Sequence, residues 1–337
     1  MMKSLDMSCY TVPNGYSAHI INCIDIPIAG AAGYFNYDYY FFYVFYYCLL
    51  NNWNDSFLQE FQRISTALGN LGLGIQSHRV EDPDQLIAKM QAQLDRDCPV
   101  LMPVTYRSVF YSPWTYREPG NTGIHLLLVC GYDAGKEVVV IRDTTHFAAT
   151  GIDDDVQGLK DFRRTGLFKL QLTETMIKDI WIDSNKDFAG MNSSYAGTFL
   201  AVERRDEPRI KDYGDLLEEL ADGCSGERSL LAMAVRHMEE LKPQIRSDLF
   251  RNVFNSCVPA LFDIVKRALS ETGVSDDSGL SRLDNFQRRY MAMRNMITSE
   301  LSGLSYKNLS MPPERKERLI QKIVAMDGEL AQLVTLP

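Results

Sequence analysis

His125-Leu-Leu-Leu-Val-Cys-Gly-Tyr-Asp-Ala-Gly-Lys-Glu-Val-Val-Val-Ile-Arg-Asp143 lies at the centre of the chain's expected sheet. With Gly123-Ile124 before it, it makes two apolar runs, Gly123 to Tyr132 and Glu137 to Asp143, joined through Asp133-Ala-Gly. Short runs rich in Leu, Val and Ile read as buried strands, and so short a connection pairs them antiparallel. Asp133 belongs to the turn, where its side chain bonds the local backbone. The hairpin carries two polar residues. His125 sits inside the first strand and Asp143 closes the second, so pairing brings the two side chains near each other. A carboxylate beside an imidazole fixes its tautomer and supports the imidazolium. By spacing alone, a hydrogen-bonded core histidine and a strand-end carboxylate is the plainer reading.

Moving upstream, Pro99-Val-Leu-Met-Pro-Val-Thr-Tyr106 reads as another strand, and downstream Phe199-Leu-Ala-Val-Glu203 as a further one. Tyr106 to Gly120 lies between two strands and holds Pro113, Pro119 and Gly120, so it reads as a loop. Its Arg107, Tyr111, Trp114, Tyr116 and Arg117 are candidates for substrate contact, or pack as a surface loop. Earlier still the period is helical. Asp82 to Leu94 places Ile87, Met90 and Leu94 on one face, and Asn54 to Leu68 does the same with Phe57, Phe61, Ile64 and Leu68. Gly69 to Gly74 reads as a turn. Ile24 to Leu50 reads as helix with one interruption, Asp25 being the expected N-cap and Pro27 suited to the first turn. The aromatic run Tyr39 to Leu50 is too short to span a bilayer, which takes roughly 20 residues, and reads as a core element.

Beyond about Asp212 the pattern is helical to the end. Leu283, Phe286, Tyr290, Met293, Ile297, Leu301 and Leu304 make one apolar stripe, and the stretches 230–241 and 253–265 carry two more. Ser275 to Ser281 reads as a loop, and Pro312-Pro313 opens the last helix. Such helices pack as a bundle. The charged stretch at Glu207-Pro208 marks the expected boundary, giving a domain over 1–207 and a helical domain over 208–337. The bundle's exposed face is either a homodimer interface or solvated. Arg282, Arg288, Arg289, Arg294, Lys307, Arg315, Lys316, Arg318 and Lys322 form a locally basic patch suited to an acidic partner, or a solvated face.

Composition narrows the function classes. The 337 residues are 45% hydrophobic and 23% charged, which suits folded domains with sizeable cores. A net charge of −9 makes general nucleic-acid binding a poor expectation. The seven cysteines form no CxxC pair and show no metal-ligand spacing with histidine, so no metal site is expected, and their scatter fits reduced thiols. The sequence opens Met-Met-Lys-Ser-Leu-Asp with no apolar signal core, so a cytoplasmic protein without membrane association is expected.

Among these cysteines, Cys23 alone stands just before an expected helix start, where the helix dipole and free N–H groups favour thiolate. With His125 as base and Asp143 behind it, Cys23 is the candidate nucleophile. A small buried hydrophobe is the plainer reading of any one cysteine. His19 and His146 are alternative bases, His19 lying near Cys23 in a loop. His78 and His237 have no acid or thiol context.

The order Cys23, His125 on a strand, Asp143 at the end of the next strand resembles the papain-like superfamily, which includes bacteriocin-processing peptidases. The layout is similar to the family of butirosin biosynthesis protein H, on the Asn22-Cys23 start of an early helix, the His125-to-Asp143 hairpin and the helical tail. That resemblance implies an α+β fold: a papain-like domain of N-terminal helices packed on an antiparallel sheet, followed by an all-α bundle. It implies a cysteine-dependent acyltransferase that moves an acyl or aminoacyl group from a carrier-protein thioester to a small-molecule amine in natural-product biosynthesis. No cofactor would be bound, the substrate arriving on the phosphopantetheine arm of an acyl or peptidyl carrier protein. Relatives in the superfamily often place a Gln about six residues before the Cys as oxyanion donor. Here that position is Ser17, with Asn22 and His19 nearby, so Asn22 and Ser17 are the oxyanion candidates. Where the family shows a small-residue run after its Cys, this chain has Ile24-Asp25-Ile26-Pro27. A cysteine peptidase or amide hydrolase, and a binding protein that keeps the fold without the chemistry, are the alternatives.

Overall fold

A computed structural model of the chain describes residues 2–7, 23–35, 37, 60–144, 167–210, 212–223, 230–237, 258–273, 277–307 and 310–335. In chain order the strands are β1 (Met2–Ser4), β2 (Leu73–Arg79), β3 (Val100–Thr105), β4 (Ile124–Asp133), β5 (Val138–Asp143), β6 (Phe168–Thr173) and β7 (Thr198–Arg204). The helices are α1 (Asp25–Tyr34), α2 (Glu60–Asn70), α3 (Leu86–Asp95), α4 (Pro113–Arg117), α5 (Glu174–Gly190), α6 (Tyr213–Gly223), α7 (Leu230–His237), α8 (Val258–Glu271), α9 (Asp277–Tyr306) and α10 (Pro313–Val334). The fold is α+β, an antiparallel sheet with helices followed by a helical C-terminal region. Among the described residues no helix is long and apolar enough to cross a membrane. The aromatic run from Tyr39 to Leu50 lies outside the described residues.

The described chain divides into two compact units with a break between Glu207 and Pro208. The first unit is built on a seven-stranded sheet in the order β2-β7-β3-β4-β5-β6, with β1 also paired to β4. All of its pairings are antiparallel. The strands expected on either side of the 133–137 turn are β4 and β5. The turn itself closes with Lys136 N–H on the Asp133 carbonyl at 3.2 Å and Gly135 N–H on Asp133 Oδ1 at 3.0 Å. β3 is buried along its whole length, and β4 along nearly all of it.

β4 is not regular. Val129 pairs with Ile141 but Gly131 with Val140, so Cys130 is an extra residue, a β-bulge. Its carbonyl, displaced from the β5 ladder, accepts the Leu5 N–H at 2.8 Å. A Cβ on Gly131 would come within 2.6 Å of the Lys3 carbonyl oxygen, so glycine is what lets β1 lie against the bulge.

α1 is small and apolar nearly all round: Pro27, Ile28, Ala29, Gly30, Ala31, Ala32 and Gly33 are buried, which suits a helix covered on all sides. It packs on β3 and β4. At Gly30 a Cβ would meet Leu128 Cδ2 at 2.9 Å, so the missing side chain sets how near the helix lies to the sheet. Ile24, rather than the expected Asp25, is the N-cap; Asp25 sits buried in the first turn, where the helix dipole favours a carboxylate. The helix expected over 82–94 begins as a 3-10 turn at Pro83–Gln85, capped by Asp82, before α3 takes over. β2, β6 and α5 carry no signal in the sequence reading. α5 is capped by Thr173, whose hydroxyl accepts the Met176 N–H at 3.2 Å. It buries Ile177, Ile180, Trp181 and Phe188 and packs against β3.

The second unit holds α2 and, from Pro208 onward, α6 to α10. The units are not two consecutive stretches of chain: α2 lies well before Pro208 in sequence and groups with the C-terminal helices. Its last residue explains why. The Asn70 carbonyl accepts the N–H groups of Arg209 and Ile210, and Asn70 Oδ1 accepts Arg209 Nε at 2.5 Å. The stripe on α9 is buried at Leu283, Phe286, Tyr290, Ile297 and Leu301, with Phe262 of α8 centred 5.3 Å from Tyr290 in an edge-on contact. α9 starts at Asp277, inside the expected 275–281 loop, while Pro312 caps α10 as expected. Several patch cations are engaged within the bundle: Arg289 pairs bidentately with Glu329, and Arg315 with Glu300 at 2.7 Å.

Candidate active site

Cys23 stands one residue before the α1 N-cap, half-buried and with a free thiol. Its Sγ–H donates to the Ile124 carbonyl at 3.7 Å, which ties the start of α1 to the start of β4. The next residue of β4 is His125, whose side chain is fully buried, as is that of Asp143 at the end of β5. His125 Nε2 donates to Asp143 Oδ1 at 2.6 Å. Its Nδ1 is buried and has no hydrogen-bond partner among the described residues. Sequence distance is thus collapsed: the residues at 23, 125 and 143 meet because one helix start and two paired strands converge.

The bulge makes this meeting possible. Below it, Leu128 pairs with Arg142, and continuing that register sets Asp143 across from Leu127. Asp143 then shares a face with Leu127 and hence with His125, two residues away. Without the extra residue, Asp143 would oppose Leu128 and point to the other side of the sheet.

Two tyrosines complete the surroundings. Tyr111, expected to contact substrate, is instead buried with its hydroxyl donating to Asp143 Oδ2 at 2.7 Å. The carboxylate is held by a donor on each oxygen. Tyr106, singled out by no sequence signal, packs its ring on the His125 imidazole with centroids 4.7 Å apart and a tilt of 32°.

Arg107 likewise has a structural partner. Its Nε donates to Asp187 Oδ2 at 2.6 Å and its second nitrogen to Oδ1, a bidentate clamp onto α5. Thr105 Oγ1 donates to the same Asp187 at 2.8 Å, and Thr105 N–H to Ser184 Oγ at 3.0 Å. These bonds fix the 3-10 turn over Tyr106–Ser108, and so the place of Tyr106 over His125. The far side of the loop is closed by Tyr106 N–H on the Gly123 carbonyl and Arg107 N–H on that of Asn121. Trp114, Tyr116 and Arg117 lie on α4, a short helix within the expected loop. Tyr116 is exposed, its hydroxyl bonded to the Phe110 carbonyl. Ser17, His19, Asn22 and His146 fall outside the described residues. His78 stacks on Phe199 in the β2–β7 pair, away from this chemistry.

The electrostatics favour a charged imidazole. Burial opposes the imidazolium, but the Asp143 carboxylate, by charge and hydrogen bond, and then the Cys23 sulfur outweigh it and raise the His125 pKa to about 10. Burial first, and then the negative charges of Cys23 and Asp143, push Tyr106 well above the ordinary phenol range; Tyr111 is raised by burial and by Asp143. Both phenols therefore remain protonated donors. Among the described residues no cluster of three or more His, Cys, Asp or Glu side chains is arranged to hold a metal ion.

No protein-family model matches the chain, and no curated protein does. Among solved structures the chain is similar to one from Bacillus anthracis whose assignment as a C39-like peptidase is provisional, at 13% identity and a TM-score of 0.24. The match covers 44% of this chain and 58% of that one, so less than two thirds of the neighbour's length is spanned.

Proposed function

We propose that Cys23 is a nucleophile of the papain-like type, with His125 as its proton partner and Asp143 holding the imidazole. The single observation behind this reading is the buried His125, anchored by Nε2 to Asp143, with Nδ1 unbonded among the described residues and the Cys23 thiol on the carbonyl of the preceding residue, Ile124. In the first step the Cys23 proton passes to Nδ1 and the thiolate attacks an acyl carbon, forming an S–C bond. Collapse breaks the bond to the leaving group, which takes the proton back from His125. An acyl-enzyme then waits for an acceptor.

The acyl-transfer version, with a carrier-protein thioester as donor and an amine as acceptor, draws on the resemblance of the ordered Cys23, His125 and Asp143 and of the helical tail to the butirosin biosynthesis protein H family. In this version His125 deprotonates the amine, and partial burial of the thiol disfavours water as competitor. A carrier protein is acidic, and the Arg288, Lys316, Arg318 and Lys322 side chains on the helical unit are the cations that would receive it.

The test is brief iodoacetamide treatment at neutral pH, with intact mass and peptide mapping, on wild type and His125→Ala. Fast alkylation confined to Cys23, lowered at least tenfold by the substitution, is expected. Slow labelling spread over several cysteines and unchanged by the substitution would sink the nucleophile reading. Carrier-thioester turnover with an amine, without peptide cleavage, then separates transfer from hydrolysis.

A further inference from the structure

We infer that Tyr111 is a positioning residue of this site: its hydroxyl, bonded to the far oxygen of Asp143, limits how tightly the His125–Asp143 pair keeps its proton, so that the imidazolium can hand it to a leaving group. The inference rests on Cys23 being the nucleophile. Tyr111 donates to Asp143 Oδ2 at 2.7 Å, while His125 Nε2 lies on Oδ1 at 2.6 Å. The His125 and Asp143 side chains are fully buried, and Tyr111 is 6% exposed. Away from water, each donor to a carboxylate counts for more.

The hydroxyl is held by the loop that carries it. Tyr111 stands between Val109, whose carbonyl accepts the Ser112 N–H at 2.8 Å and Thr115 Oγ1 at 2.6 Å, and the start of α4 at Pro113. Its ring meets Phe110 edge-on at 5.4 Å.

Two states of the pair alternate during reaction. With His125 charged, the Asp143 carboxylate faces an imidazolium. On collapse the bond to the leaving group breaks, its electron pair goes to the leaving atom, and that atom takes the Nδ1 proton. The imidazole is then neutral, still donating through Nε2, and the buried carboxylate has lost its counter-charge. A donor on Oδ2 favours the carboxylate most in that second state, because a hydrogen bond to the charged form supports it. Without the donor the pair holds its proton harder, and His125 becomes a poorer acid toward the leaving group. The charges acting on the imidazole are those of Asp143 on β5 and of Cys23 ahead of α1, and the neutral Tyr106 ring after β3 packs on its face. Tyr111 gives a hydrogen bond and no proton, since burial and the Asp143 charge push its phenol well above the ordinary range.

The experiment uses the full chain with nitrogen-15 histidine, read by NMR as wild type, as Tyr111→Phe and with 3-fluorotyrosine in place of Tyr111. The fluorinated phenol is a stronger donor of nearly the same size. The His125 signals are those missing from His125→Gln. With its pKa at about 10, about half of the wild-type His125 is charged at pH 10. Tyr111→Phe is expected to titrate about one pH unit higher, so that about nine-tenths is charged at pH 10, and to move the Nε2 proton downfield at neutral pH. The fluorinated form is expected to move both the other way, and carries the test alone should Tyr111→Phe not fold. Iodoacetamide expels iodide, which needs no proton, so alkylation of Cys23 at neutral pH should stay within about twofold of wild type in every form. A His125 titration indifferent to the residue at 111 overturns the inference and leaves a selectively alkylated Cys23 standing as nucleophile. So does a lower His125 pKa in Tyr111→Phe, which would make the hydroxyl only a latch on the carboxylate. Wild type without selective alkylation at Cys23 overturns the nucleophile reading, and the role in leaving-group release with it.

Discussion

Asp143 accepts from His125 on one oxygen and from Tyr111 on the other, deep in the first unit. A buried carboxylate needs such partners, and both donors hold it ready to face an imidazolium. The consequence for stability has a definite sign. The His125 pKa is raised from 6.5 to about 10 on folding, so the folded state binds the proton more tightly than the unfolded chain. The resulting stabilisation is complete below pH 6.5 and is lost as pH rises to about 10. Urea unfolding of wild type across that interval is expected to show a falling midpoint, and His125→Gln a flatter profile; parallel profiles would refute the linkage. That His125 and Asp143 stand on paired strands was readable in advance, because the short turn dictates which strands pair; that they share a face was not. The parts played by Tyr106 and Tyr111 were not, since an aromatic loop looks alike whether its rings face substrate or core.

At the scale of elements, the site depends on how α5 and β4 are set. Asp187 of α5 gathers Thr105 and Arg107, which bracket Tyr106. Asp187→Ala is expected to cost about 1–3 kcal/mol in denaturant unfolding, the loss of charge-assisted bonds discounted for the partly exposed guanidinium. Cys23 alkylation should remain, because the thiol's hydrogen bond runs to the Ile124 carbonyl and not through Asp187. Equal stability to wild type would show the clamp to be idle. The β4 bulge is the subtler device. A hairpin drawn from the sequence pairs the strands in plain register and leaves Asp143 on the wrong face. The Cys130-Gly131 pair inside an apolar run is a trace of the bulge, but only the approach of β1 explains why a glycine stands there.

For the whole molecule, the helical character of the chain beyond Pro208 follows from periodicity alone. The second unit's core is expected to behave as its burial implies. Phe286 is fully buried against Phe262 and Tyr290, so Phe286→Ala should cost about 3–5 kcal/mol, seen as a lowered midpoint in helix circular dichroism. A loss below about 1 kcal/mol would mean that the aromatic cluster is not packed as described. Local patterning specified the antiparallel hairpin, the early helix behind Cys23 and the apolar stripes of the bundle. Each depends on local periodicity or on a short turn, which neighbouring residues specify without help. Long-range packing set the rest: α2 joins the C-terminal helices, Arg107 clamps α5, and Tyr106 sits over His125. It also decided that a single inserted residue turns Asp143 toward that histidine. Those outcomes arise from contacts between residues far apart in the chain, where a shift of one position in register reverses a side chain's face and no local pattern records it.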